Sequence, residues 1–188
     1  MSAAVAFSLG SNLGDRRAQL AAALRGLEAG LVSGLRVSSL YETAPVEVGE
    51  PQPAFLNLCA LGDCALEPAA LLAGCQALER AAGRPAGGPR RPRVLDIDLL
   101  YYGALQCEEP DLCLPHPGLA RRRFVLAPLA ELDPEWRHPQ SGRRVDELLA
   151  ALGDAQPLTR LAPSAAGGEG WWRLDDQEHA DGHTAERG

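Results

Sequence analysis

The sequence predicts an α+β fold of the ferredoxin-like kind, an antiparallel sheet with helices packed on it and extra C-terminal helices. Three observations carry that expectation. Short apolar segments alternate with two windows of helical spacing in the order β-α-β-β-α-β. Turn-forming glycines and prolines punctuate each change of period. The 188 residues, 46% hydrophobic, suffice for one well-buried core and are too few for two ordinary domains.

The elements follow in order. Ala4–Leu9 is an apolar strand running into the turn Gly10-Ser11-Asn12. Over Asp15–Leu27, Leu20, Ala23, Leu24 and Leu27 recur at helical spacing, with Gly30 as the stop signal. Leu35–Tyr41 alternates as a strand, Thr43–Pro53 is an irregular proline-bearing loop, and Ala54–Ala60 resumes as a strand. Glu67–Ala82 carries Leu71, Leu72, Cys75 and Leu78 on one helical face and closes at Gly83. Arg84–Pro92 holds Gly87, Gly88 and three prolines, an exposed loop. Val94–Tyr102 is the next strand, and Ala120–Glu131 and Val145–Leu152 read as short helices. The domain is expected over residues 1–162. Residues 163–188 read as a disordered acidic tail, in which Trp171-Trp172 either dock or stay mobile.

Composition narrows the chemistry. All 18 basic side chains are arginine and the chain has no lysine. That excludes Schiff-base, pyridoxal-phosphate and P-loop chemistries, which need an ε-amine. Any phosphate must be held by guanidinium, backbone N–H or metal. The net charge of -7 argues against a nucleic-acid partner. No apolar run reaches the roughly 20 residues of a membrane span, and MSAAVAFSLGSN lacks the pattern of a secretory leader. Five cysteines without a C-x-x-C pair read as ordinary thiols, so a cytoplasmic protein is expected.

The sharpest local feature is Arg93-Val94-Leu95-Asp96-Ile97-Asp98-Leu99. Strand alternation places Asp96 and Asp98 on one face and Leu95, Ile97 and Leu99 on the other. Two adjacent carboxylates repel unless a cation or arginine lies between them. Paired hard oxygens suit Mg²⁺, which takes its remaining ligands from water and phosphate. The alternative is a solvated edge-strand face, against which stands the upstream loop with Arg84, Arg90, Arg91 and Arg93.

Two further constellations accompany it. Leu114–Phe124 brings His116, Arg121, Arg122, Arg123 and Phe124 within one turn and helix start, suited to phosphate and a stacking ring, or to plain structure. Phe55 and Asn57 share a strand face, where an aromatic and an amide could line a pocket for a flat heterocycle, or sit as core and strand end. His179 and His183, separated by a glycine in the tail, make a poor metal pair. Gly10–Gly14 lacks the third glycine of a dinucleotide fingerprint.

Together SLGSNLGD, YETAP, QPAFLN, ALERAAGR, PRVLDIDLLYYG and LPHPGLARRRFVLAPLAEL, over about residues 4–132, resemble the 6-hydroxymethyl-7,8-dihydropterin pyrophosphokinases of folate biosynthesis. The resemblance implies transfer of the ATP pyrophosphoryl group to the pterin hydroxymethyl oxygen, with release of AMP. It implies two Mg²⁺ ions on Asp96 and Asp98, with ATP as co-substrate. Phe55 and Phe124 would sandwich the pterin, and Thr43, Asn57 and the backbone near Val46 would read its edge. Gln76 and Glu79 would face ATP, with Arg84, Arg93, His116 and Arg122 on its phosphates and nucleotide. A monomer is expected. The chain departs from the family's pattern in several places. Arg90 stands in a loop that elsewhere carries tryptophan and lysine, Asp111 replaces an arginine, Pro117 replaces an aromatic, and Phe55 replaces tyrosine. Another Mg²⁺-dependent nucleotidyl- or phosphotransferase, or a binder without turnover, are the competing readings. The intact Asp96/Asp98 pair speaks against the binder.

Overall fold

The computed structural model describes residues 2–44, 52–83, 92–153, 157–161 and 170–173. Strand β1 (Ala3–Ser11) lies inside the sheet, antiparallel to β4 (Phe55–Cys64) on one side and to β5 (Asp96–Tyr102) on the other. The sheet order is β5-β1-β4-β3-β8, with β2 also along β4. The single strand expected over 35–41 is two, β2 (Ser33–Val37) and β3 (Tyr41–Thr43), successive on the same edge of β4. Ser38 explains the break. Its N–H donates to Cys59 O at 3.0 Å while its own hydroxyl accepts from Cys59 N at 2.9 Å. A side chain there replaces a ladder carbonyl, and the backbone steps aside.

Helix α1 (Arg16–Gly30) starts where Asp15 accepts from Ala18 N, an N-cap that satisfies an otherwise orphaned donor. Helix α2 (Pro68–Ala81) places proline in its first turn, where no N–H is needed. Both cover one sheet face, in a core that includes Phe7, Leu9, Leu24, Leu71, Ile97 and Leu99. The opposite face is also covered: Ala6, Cys59, Leu61 and Leu100 pack with Val125, Leu129 and Leu148 from α3 (Arg123–Leu132) and α4 (Val145–Leu152). A register shift between Ala6 and Phe7 in the β1–β5 ladder lets β5 serve both cores.

The helix expected over 120–131 is interrupted. A 3-10 turn at Leu119–Arg121 ends at Arg122, which is extended (φ -117°, ψ 111°), and only then does α3 begin. Two elements had no sequence signal: the hairpin β6 (Cys107–Glu108) with β7 (Cys113–Leu114), and β8 (Thr159–Arg160) on the edge of β3. Residues 171–173 depart from the expected disordered tail. Trp171 and Trp172 are buried in the core beneath α1, and the Arg17 guanidinium lies 5.1 Å from the Trp171 ring centroid. His179 and His183 lie outside the described residues.

All five cysteines are free thiols. Burial pushes the Cys75 thiol up to about 12, so it is inert at neutral pH. Among the described residues, no helix is long and apolar enough to cross a membrane.

His138 supplies a pH dependence. It is buried, its ring meets Trp136 edge-on at 6.0 Å between centroids, and its Nδ1 has no hydrogen-bond partner among the described residues. Burial lowers its pKa below the ordinary 6.5. Between the lowered value and 6.5 the unfolded chain binds the proton and the folded chain does not. Stability therefore falls as pH drops through that window. Thermal midpoints between pH 7.5 and pH 5.5 should decline less steeply for His138→Gln than for the unmodified chain; equal slopes would contradict this account.

Candidate active site

The ladder sets the site's geometry. Gly10 of β1 pairs with Asn57 of β4 on one side and Asp96 of β5 on the other, and Ser8 pairs with Asp98. Asn57, Gly10 and Asp96 thus occupy one row across the sheet, with a glycine at its centre. At about 4.8 Å per strand, the amide and the carboxylate are roughly 10 Å apart at the backbone. A Cβ on Gly10 would stand 3.1 Å from Asn57 Oδ1 and 3.9 Å from Phe55 Cδ1, so this face is kept low. Asn57 is buried, and its Nδ2 donates to Thr43 Oγ1 at 2.9 Å, which fixes the amide's orientation. Phe55 is half-buried on the same face; Phe124, in the first turn of α3, packs against the α3/α4 core, with the Arg122 guanidinium 5.8 Å from its ring centroid.

Next to this row is an open cleft of about 340 Å³ along β5, bounded by Leu72, Gln76 and Glu79 of α2, by Arg93, Asp96 and Asp98, and by His116 and Arg122. Strand alternation holds as expected: Ile97 and Leu99 are in the α1/α2 core, from which Ile97 also borders the cleft, and Asp96 and Asp98 line the cleft. Arg93 Nη1 donates to Asp96 Oδ1. Asp98 Oδ2 lies 3.4 Å from Arg122 Nη1 and 3.8 Å from His116 Nε2. Burial, and then the Asp96 charge, push the Asp98 carboxyl above the ordinary carboxylate range, against the pull of His116, Arg122 and Arg93. Burial lowers the His116 pKa, with Arg122 acting in the same direction and Asp98 opposing. Gly118 N donates to His116 Nδ1 at 3.0 Å, so in the neutral ring the proton sits on Nε2, facing Asp98.

Two adjacent carboxylates beside three cationic or protonatable groups fit a hard divalent cation bound together with a polyanion. Among the described residues there is no cluster of three or more His, Cys, Asp or Glu that would enclose a metal. The pair therefore suits an ion that takes most of its ligands from water and phosphate.

Most of the expected residues converge here: Thr43, Phe55 and Asn57 around the row, and Gln76, Glu79, Arg93, Asp96, Asp98, His116 and Arg122 around the cleft, with Phe124 beside Arg122 at the start of α3. Glu79 has a second duty. It is buried, and its Oε1 accepts from Ile97 N at 2.9 Å, anchoring β5 to α2. Arg84 and Val46 lie outside the described residues, as do Arg90 and Arg91.

Three residues escape a reading by motif. Gly10 and Gly118 act by lacking a side chain; a Cβ on Gly118 would come 2.6 Å from Arg122 Nε and 3.0 Å from His116 Cε1. Asn12, read only as part of a turn, is buried and joins the two halves of the site. Its Nδ2 donates to Gln52 Oε1 at 3.3 Å and Pro53 O at 3.4 Å, and its Oδ1 accepts from Arg93 N at 2.7 Å. No spacing rule reveals partners 40 and 81 residues away. Asn12→Ala leaves the Arg93 N–H without this acceptor and should cost about 1–3 kcal/mol of stability. A denaturant midpoint equal to that of the unmodified chain would refute this.

Comparison with known proteins agrees with the geometry. Residues 6–134 match the family model for 7,8-dihydro-6-hydroxymethylpterin-pyrophosphokinase (HPPK). A 2-amino-4-hydroxy-6-hydroxymethyldihydropteridine pyrophosphokinase of Synechocystis is 37% identical over 158 residues, 82% of this chain and 78% of the relative. The mitochondrial folate synthesis bifunctional protein of Arabidopsis thaliana is 44% identical over 128 residues, covering 68% of this chain; the chain spans only 23% of that relative. Among solved structures, an HPPK-DHPS in complex with substrates superposes with a TM-score of 0.66 at 13% identity, over 79% of this chain and 43% of that one. The family match takes in β1 through α3, and with them the Asn57–Gly10–Asp96 row and the Asp96/Asp98 pair: this chain belongs to the 7,8-dihydro-6-hydroxymethylpterin-pyrophosphokinase family.

Proposed function

We propose that this chain transfers the β,γ-pyrophosphoryl group of ATP to the hydroxymethyl oxygen of 6-hydroxymethyl-7,8-dihydropterin. The new bond is O–Pβ, the broken one is Pβ–O of the α,β bridge, and the leaving group is AMP. One observation carries the reading: Asn57, which suits a heterocycle edge, and Asp96, which suits a metal-bound polyphosphate, stand in one row across a bare glycine.

The pterin is read by Asn57 and Thr43 and stacked by Phe55 and Phe124. Its hydroxymethyl arm then points along the row toward β5. The triphosphate lies in the cleft, where Arg93, His116 and Arg122 meet its charge. Mg²⁺ fits the Asp96/Asp98 pair and would supply charge neutralisation on the phosphates when bound. Little covalent chemistry is asked of the protein; positioning and charge stabilisation supply the rate. The strand order supports reading the sheet as a ferredoxin-like plan extended by β8 and covered by α3 and α4. We read residues 1–162, with Gly170–Arg173 docked on them, as one catalytic unit.

The test is to incubate the chain with ATP, the pterin and Mg²⁺ and identify the nucleotide product. AMP appearing in step with pterin diphosphate is expected. ADP as product, or no pterin-dependent turnover, would sink the assignment.

A further inference from the structure

Residues 159–160 and 170–173 lie beyond the 6–134 matched to the family, yet both are tied to the elements that frame the pterin side of the site. Residues 171–173 run along α1: the Arg17 guanidinium lies over the Trp171 ring at 5.1 Å, Arg25 Nη1 donates to Trp172 O at 2.9 Å, and Arg173 pairs with Glu28 at 2.8 Å. The neighbour of Arg17 on α1 is Arg16, whose Nη1 donates to Glu42 Oε1 at 2.9 Å and to Ala54 O at 2.7 Å. Glu42 precedes Thr43, and Ala54 precedes Phe55. Arg16 is therefore the strut between α1 and the two strands that present the pterin-facing residues.

The second piece closes the other side of β3. Tyr41 pairs with Arg160, and Glu42 with Thr159. Arg160 Nε reaches Glu131 Oε1 at 3.0 Å, and that carboxylate also takes the Tyr41 hydroxyl and, at 2.9 Å, Ser39 N. Glu131 belongs to α3, the helix that Phe124 opens. These two C-terminal pieces thus bond to α1, β3 and α3; β3 carries Thr43, α3 carries Phe124, and β3 and Arg16 hold β4, which carries Phe55 and Asn57. The nucleotide side is built on other elements, α2, β5 and residues 116–122.

We propose that residues 159–160 and 171–173 act as a positioning brace for the pterin pocket: β8 and the Trp171-Trp172 pair hold β3 and α1 at the separation that Arg16 spans, and so set affinity for the pterin independently of ATP. The inference rests on the function proposed above. Side chains that fix the relative placement of two pocket walls contribute to binding through preorganisation, without touching the ligand.

The experiment uses the full chain and its variants Trp171→Ala, Trp171→Phe, Arg17→Gln and Arg160→Gln. Calorimetry would measure 6-hydroxymethyl-7,8-dihydropterin in the presence of Mg²⁺ and a non-hydrolysable ATP analogue, and separately the analogue with Mg²⁺ alone. Trp171→Ala should raise the pterin Kd about 3- to 10-fold and leave the nucleotide Kd within about twofold. Trp171→Phe, which keeps a ring face for Arg17, should restore most of the affinity. Arg17→Gln and Arg160→Gln leave the core intact and should shift the pterin Kd in the same direction, so the idea stays exposed even if Trp171→Ala does not fold. Equal losses for both ligands, or unchanged pterin affinity in the arginine variants, would overturn the brace and leave the segment as packing alone. An unmodified chain that binds no pterin would overturn the proposed function itself.

Discussion

Asp98→Asn lowers pterin-dependent AMP release by about three orders of magnitude or more, while the chain stays folded. The substitution keeps the side chain's shape and removes one of two anions at the centre of the cleft. Arg122 and His116 lose the carboxylate they now face, at 3.4 and 3.8 Å, so a bound triphosphate meets a misaligned cationic wall as well as a weaker metal site. The fold should tolerate the change. Burial and Asp96 already hold the Asp98 carboxyl above the ordinary range, which means the folded state disfavours its charged form. A thermal midpoint equal to or above that of the unmodified chain, with activity lost, is the expected pair of results. Loss of activity together with loss of the folded state would instead make Asp98 a structural residue.

The second large effect is on stability. Trp172 is 3% exposed and belongs to the same core as Phe7, Leu24 and Leu71. Trp172→Ala leaves a cavity and should cost roughly 3–5 kcal/mol, about 6–20 °C in thermal midpoint for a chain of this size. The Arg25–Trp172 carbonyl bond survives the substitution, because it uses the backbone, whereas Arg173, which pairs with Glu28, loses the indole face 4.3 Å beneath its guanidinium. If the midpoint moved by less than about 2 °C, the ring would contribute no such packing.

The Asp96/Asp98 arrangement was legible because a strand's period is two and β5 follows it from Asp96 to Leu99. The helices around Leu20–Leu27 and Leu71–Leu78 were legible for the same kind of reason, since each buries one stripe. Elsewhere a residue's conformation is decided by something distant in sequence. Arg122 stands in a run with good helix propensity, yet it is extended and reaches Asp98, a partner 24 residues earlier. Ser38 breaks a strand because its hydroxyl finds Cys59 N. Trp171 and Trp172 sit among glycines and acids, a composition that suggests disorder, and only the apolar flank of α1 makes burial favourable. Asn12 looks like any turn asparagine until Gln52, Pro53 and Arg93 surround it.

The Asn57–Gly10–Asp96 row also bears on what this scaffold can become. On the function proposed above, the strand that carries the recognising amide and the strand that carries the metal-binding carboxylate are two inter-strand steps apart, a backbone spacing fixed by the ladder's hydrogen bonds. Point substitutions can alter which ring is read or how tightly it stacks, but they cannot move that ruler. A heterocycle whose alcohol arm is a carbon longer or shorter would place its oxygen off the mark for every sequence that keeps this ladder. A shift in strand register would not change that spacing either, and a slip of one residue would turn each residue of the moved strand to the opposite face.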